Sequence, residues 1–294
     1  MKEADGTGIG LFLTDYYARP SKRGGAWMSG FVEQSRLLGL RPVIINVMGV
    51  TKPTDGSPAL LTLDEVTTMF HEFGHALHGL LSDVRYPTFS GTNVPRDYVE
   101  FPSQINENWA LDPAVLRNYA RHIDTGEPLP SELIDAITAS SQFGQGFATS
   151  EYLAAAIIDM AWHSLSSEEA AGVSDVHAFE EAALQDAGLV VEHLKPRYQS
   201  TYFNHIFGGG YSAGYYSYLW AEALDADGFD WFTETGAAGP GASGEAARAA
   251  GQRFRDLVLS RGGASDYAAA FESLRGRAKD VAPLLRRRGL GGAL

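Results

Sequence analysis

The sequence contains no cysteine. That absence removes thiol catalysis, disulfide scaffolds, iron–sulfur clusters and thiolate metal sites together, so any metal ion has to be held by histidine and carboxylate. Basic side chains are scarce too. Against 36 aspartates and glutamates stand 23 lysines and arginines, a formal net charge of −13, which excludes a nucleic-acid binder working through bulk positive charge. Long apolar runs are also missing. The stretch 40–50 is broken by Arg41, Pro42 and Asn46 and is too short to span a bilayer. Met1-Lys2-Glu3-Ala4-Asp5-Gly6 has no apolar core of a secretory signal, so the cytoplasm is the expected location.

What remains is ordinary globular material. The chain has 294 residues, 45% hydrophobic and 20% charged, enough for a sizeable core in one large domain or two small ones. Residues 9–17 and 42–48 read as strands, joined by the turn-rich Ser21-Lys22-Arg23-Gly24-Gly25. A Pro- and Gly-bearing stretch at 52–58 punctuates the chain. Beyond it the pattern is helical: Thr62 supplies an N-cap with an acidic first turn, and Val66, Met69, Phe70, Phe73, Ala76, Leu77 and Leu80 follow helical spacing. Further helices are expected at 98–111, 114–122, 131–140, 149–165, 176–187, 212–226, 244–260 and 264–275. The fold expected is mostly α with a small β element, without internal repeats. Residues 236–244 read as a surface loop and Arg286-Arg287-Arg288 as a solvated face.

The sharpest motif is His71-Glu72-Phe73-Gly74-His75, a H-E-x-x-H pattern within a helical segment. Residues four apart on a helix point about 40° apart, so both imidazoles can reach one ion. Glu72 then stands where it can take the proton from a water as it attacks a carbonyl. Neutral imidazoles, one carboxylate and an open fourth position form the pattern of a hydrolytic zinc site. With 8 histidines in the chain, random matches to the motif number on the order of 0.01. His78 lies about 10 Å along the axis from His71, too far to share the ion, and Leu81 occupies the position where a metzincin carries its third histidine. The third ligand is therefore expected from another element. Glu100 and Glu107, seven apart on one helical face, are the candidates, one for the metal and one to hold a ligand; spacing does not separate them.

A second unusual stretch runs from His205 to Trp220. Gly208, Gly209 and Gly210 free the backbone to approach a ligand, and Tyr211, Tyr215 and Tyr218 are spaced as one stripe of a helix. A phenol stays protonated at neutral pH and can donate to an oxyanion. Beside the zinc motif, Tyr211 and Tyr218 read as functional; an aromatic core stripe is the rival reading, and Tyr215 stays open between the two.

These residues resemble the thimet oligopeptidase family of zinc metallopeptidases, and its peptidyl-dipeptidase branch in particular. The segments that carry the resemblance are GGAWMSGFVEQS, PALLTLDEVTTMFHEFGHALHGL, SGTNVPRDYVEFPSQINENW and HIFGGGYSAGYYSYLW, with LSRGG and RRRGL near the end. They cover essentially the whole chain. The resemblance implies a zincin-like (gluzincin) catalytic domain over 1–294, with a zinc-binding core at about 62–165 and a substrate-binding Gly/Tyr loop at 205–220. It implies one Zn²⁺ on His71, His75 and Glu100, Glu72 as general base and Glu107 behind the ligands. Substrate contacts are implied for His205, Tyr211 and Tyr218, with Gly91, Thr92, Gly209, Gly210 and Tyr215 lining the peptide. Thr92-Asn93 and the run 99–107 look more like the branch that releases C-terminal dipeptides than like the oligoendopeptidases. Family members are roughly twice as long, with a helical N-terminal half absent here. Self-association or a complementary N-terminal half is therefore an expected partnership, besides short peptide substrates; a zinc-stabilised module without activity is the alternative.

Overall fold

The computed structural model describes residues 1–54 and 56–291; Asp55, in the punctuating stretch, lies outside the described residues. Three strands, β1 (Leu11–Tyr17), β2 (Trp27–Val32) and β3 (Val43–Val50), form a sheet ordered β1-β3-β2. β1 runs parallel to β3 with Leu11 opposite Val43, and β2 runs antiparallel with Trp27 opposite Val47. The central position of β3 explains its near-continuous apolar sequence. β2 falls where a connector was expected to continue. It is a six-residue edge strand with Gly30 inside it, and such a strand carries a weak signal.

The helices follow in chain order as α1 (Leu63–Leu80), α2 (Arg96–Glu107), α3 (Pro113–Tyr119), α4 (Ser131–Ser140), α5 (Gln145–His163), α6 (Ser167–Gly172) and α7 (Val176–Asp186). After them come α8 (Asn204–Phe207), α9 (Ser217–Glu234), α10 (Gly244–Phe254), α11 (Tyr267–Arg275) and α12 (Ala282–Arg287). The chain is mostly helical with one small sheet, as expected. Among the described residues no helix is long and apolar enough to cross a membrane.

The chain divides into two compact units. The first comprises Met1–Ile134 and Ala221–Leu284, the second Asp135–Trp220 and the residues from Leu285. Of the segment 62–165, residues 135–165 thus belong to the second unit. In the first, Ile44, Ala76 and Leu80 join sheet to α1, with Phe12, Met28 and Phe73 packed around them. A larger cluster joins Phe101 and Ile105 of α2 to Leu224, Phe232, Phe254, Phe271 and Leu274. Ala237 and Ala238 are buried in that cluster, so the 236–244 loop is anchored rather than merely superficial. In the second, Ala155 and Ala156 of α5 pack on Phe203, Ile206 and Tyr215. Arg288 donates to Thr149 Oγ1 at 2.5 Å, so the arginine run is not simply a solvated face.

Candidate metal centre

Thr62 starts α1 with a capping box: its hydroxyl accepts the Glu65 N–H at 3.2 Å, and the Glu65 carboxylate accepts the Thr62 N–H at 2.8 Å. Two turns later come His71 and His75, and between them Gly74 lets α2 approach. A Cβ at Gly74 would lie 2.5 Å from the Pro102 carbonyl oxygen and 2.6 Å from the Ser103 Cα. Only glycine permits that crossing. Asn106 closes it further by donating from Nδ2 to the Phe70 carbonyl at 2.6 Å.

The crossing brings a carboxylate of α2 onto both imidazoles. Glu100 Oε2 lies 3.2 Å from His71 Nε2 and 3.3 Å from His75 Nε2, and the three potential ligand atoms all fall within 4.8 Å of one another. The edge of a tetrahedron with zinc–ligand bonds of about 2.05 Å is about 3.3 Å, so both measured separations fit a shared ion. Ser103 Oγ donates to Glu100 Oε2 at 3.1 Å and orients the carboxylate. Glu107 takes the other side of His71, with Oε1 2.6 Å from Nδ1, which leaves Nε2 facing Glu100. Glu72 is buried, and its Oε2 has no hydrogen-bond partner among the described residues. An orphaned buried carboxylate oxygen beside a His–His–Glu cluster is what a metal-activated water would satisfy. The donor set fits zinc.

The electrostatics agree. Burial alone would disfavour a charged His71, yet the Glu100 and Glu107 carboxylates outweigh it and hold the imidazole well above its ordinary value of 6.5. Burial likewise opposes ionisation of Glu100, but His75 and His71 pull its carboxyl well below the usual range. The site therefore demands positive charge, which a divalent ion would supply in place of protons. Glu72 moves the other way: burial raises its proton affinity, only partly countered by His71 and His75. His78, deep in the same helix, has its imidazole pushed down to about 3 by burial and is neutral.

Gly91 and Thr92 lie in the same unit. Gly91 adopts φ 51°, and a Cβ there would sit 2.8 Å from the Gly79 Cα of α1, so packing already accounts for this glycine. His205, Gly209, Gly210, Tyr211, Tyr215 and Tyr218 belong to the second unit, and the expected helical tyrosine stripe is not formed. Left-handed backbone at Gly210 (φ 82°) and Ala213 (φ 51°) interrupts it, and α9 begins only at Ser217. Tyr211 and Tyr218 nonetheless stack, with centroids 5.1 Å apart and planes at 17°, and His205 approaches Tyr211 at 6.2 Å between ring centroids. Tyr215 is buried among Tyr152, Tyr198 and Phe203, and burial pushes its phenol well above the ordinary range. Of the open alternatives, it takes the core role. Sequence reading missed Ser103, Asn106 and Asp159. Asp159 carried a signal, being a lone acid in the apolar run 153–162.

A helix-borne H-E-x-x-H closed by a glutamate from a neighbouring helix defines a metallohydrolase type of centre. A sequence profile of Peptidase family M3 matches residues 1–290. The dipeptidyl carboxypeptidase of Salmonella typhimurium is 50% identical over 98% of this chain and 41% of its own length. Oligopeptidase A of Escherichia coli is 38% identical over 96% of this chain and 41% of its own. Among solved structures, PZ peptidase A with inhibitor 2 superposes with a TM-score of 0.55 at 13% identity, over 96% of this chain and 44% of that one; this likeness concerns the fold. The chain belongs to Peptidase family M3, a family of metallopeptidases. It spans about two fifths of the length of the curated relatives it matches.

Proposed function

We propose that this chain carries the catalytic centre of a zinc peptidase, zincin-like in its core, that hydrolyses short peptides and releases C-terminal dipeptides. The observation that carries the reading is the convergence of Glu100 on His71 and His75 beside the buried, unpartnered Glu72 oxygen. Zinc bound there would act as a Lewis acid, lowering the pKa of a water and polarising the peptide carbonyl. Glu107 fixes the ring and tautomer of His71, and Ser103 fixes Glu100. Glu72, with its raised proton affinity, takes the proton of the attacking water and returns it to the leaving amine. Tyr211, His205 and Tyr218 donate hydrogen bonds to the carbonyl oxygen as charge develops on it. Gly209 and Gly210 allow close backbone approach, and Gly91 and Thr92 pair with the peptide backbone.

Dipeptide release is favoured over internal cleavage by the 50% identity to a dipeptidyl carboxypeptidase against 38% to an oligopeptidase A. A location in the cytoplasm is part of the same reading. The outward face of the sheet favours a partner or self-association: Phe31 is 66% exposed, and Leu11 and Leu13 face away from Phe12, which packs on α1. The test is digestion of an N-blocked tetrapeptide with and without a chelator. Chelator-sensitive release of a free dipeptide is expected; internal cuts in a longer chain would favour the oligoendopeptidase reading, and intact peptide would favour a zinc-stabilised module.

A further inference from the structure

The second unit contains a fully buried acid that the chemistry above does not use. Asp159 has 0% exposure in an otherwise apolar stretch of α5. Two backbone donors converge on its carboxylate, the N–H of Ala213 at 2.9 Å on Oδ1 and the N–H of Tyr215 at 2.8 Å on Oδ2, while His163 Nδ1 lies 2.9 Å from the Asp159 carbonyl oxygen and 2.8 Å from Oδ1. Ala213 is one of two non-glycine residues in left-handed backbone among those described, a conformation that persists where its surroundings over-determine it. One helical stripe earlier, Tyr152 donates its hydroxyl to the Tyr215 carbonyl and accepts the Leu219 N–H. Upstream, the buried Glu180 of α7 accepts the Ser200 N–H at 2.5 Å. The segment that carries His205, Tyr211 and Tyr218 is thus pinned by buried polar groups of α5 and α7, while Gly208, Gly209 and Gly210 between the pins are exposed.

We propose that Asp159 is the positioning residue of the Gly/Tyr segment, its carboxylate setting the backbone turn at Ala213–Tyr215 and with it the placement of Tyr211 and Tyr218. This rests on the reading of those tyrosines as substrate donors. A carboxylate suits the task because each of its two oxygens accepts a backbone N–H; an amide of equal size would turn an NH₂ toward one of them.

Asp159→Asn tests it, compared with the unaltered chain by amide hydrogen exchange, zinc content and peptide kinetics. The Ala213 and Tyr215 amides should be protected in the unaltered chain and exchange at least about tenfold faster in the variant, with α1 and α2 amides and zinc content unchanged. The kcat on a blocked tetrapeptide should fall about 100-fold with KM within about threefold, since donors displaced by a fraction of an ångström fail in the transition state first. A tetrahedral phosphinic tetrapeptide should bind correspondingly more weakly. Unprotected Ala213 and Tyr215 amides in the unaltered chain overturn the anchor even where the variant fails to fold. So does a variant whose amides exchange faster while kcat and phosphinate binding are unchanged. An unaltered chain that protects these amides but cleaves no peptide overturns the peptidase reading and leaves the anchor standing.

Discussion

Two carboxylates of α2 end on opposite nitrogens of one imidazole, and that division of labour makes separable predictions. Glu100→Gln is expected to abolish stoichiometric zinc binding, because it removes the one anionic donor of the set. Glu107→Gln should weaken zinc about 10- to 100-fold, as loss of a carboxylate behind a ligating histidine does; a chelator-competition titration reads both. An unchanged affinity in Glu107→Gln would show that the 2.6 Å contact to His71 orients nothing. The Glu100 and Glu107 carboxylates hold the His71 imidazole well above its ordinary value, and zinc needs that imidazole neutral. Zinc binding near pH 7 should therefore release protons, and affinity should fall as pH is lowered; calorimetry in buffers of different ionisation enthalpy measures the release. His71, Glu72 and His75 were legible because helix geometry fixes which residues four apart share a face. The role of Asp159 was not, since the two backbone amides it holds lie 54 and 56 residues away and nothing local announces them.

Between elements, the crossing of α1 and α2 is the contact on which the centre depends. Gly74→Ala forces a methyl against backbone at 2.5 and 2.6 Å, which no side-chain rotation relieves. A loss of about 1–3 kcal/mol is expected from overpacking, together with weaker zinc binding, because Glu100 moves with α2 while the histidines move with α1. Urea unfolding and a zinc titration check the two effects; a variant as stable and as tight-binding as the parent would contradict the crossing. The start of α1 was readable from Thr62 and Glu65, whose side chains make local hydrogen bonds. The start of α9 was not. Tyrosine spacing at 211, 215 and 218 imitates a helical stripe, but the left-handed residue Ala213 breaks it, and the amides of Ala213 and Tyr215 are held by Asp159 of α5, far away in sequence. β2 escaped for a related reason, being held by pairing with β3 rather than by its own composition.

At the scale of the whole molecule, a buried ion pair and the metal centre each carry a prediction about stability. In the first, the buried Asp227 accepts from Arg275 Nε at 2.8 Å and Arg277 Nη2 at 2.6 Å. Burial works against its ionisation, but the hydrogen bonds of Arg277, Arg275 and the Asp280 amide prevail and hold its carboxyl below the usual 3.8. A depressed folded-state value means the contribution is complete above the unfolded-state value and is lost as pH falls from about 4 downward. Thermal melts should show that acid-side loss, and Asp227→Asn should flatten it while lowering stability at neutral pH. Zinc adds a second lever: at about 100 times its dissociation constant it should stabilise the fold by about 2.7 kcal/mol, and a chelator should remove this gain. The division into two units was not legible from composition, which changes little along the chain, because α9 passes through the boundary as an uninterrupted helix.

The most direct test is turnover per bound zinc for Glu72→Gln. The variant keeps His71, His75 and Glu100, so one zinc per chain is expected to remain, while hydrolysis of a blocked tetrapeptide should fall by about 10³-fold with the loss of the general base. Substantial turnover in a zinc-loaded Glu72→Gln chain would contradict the assignment of Glu72 as the base of a metal-dependent peptidase.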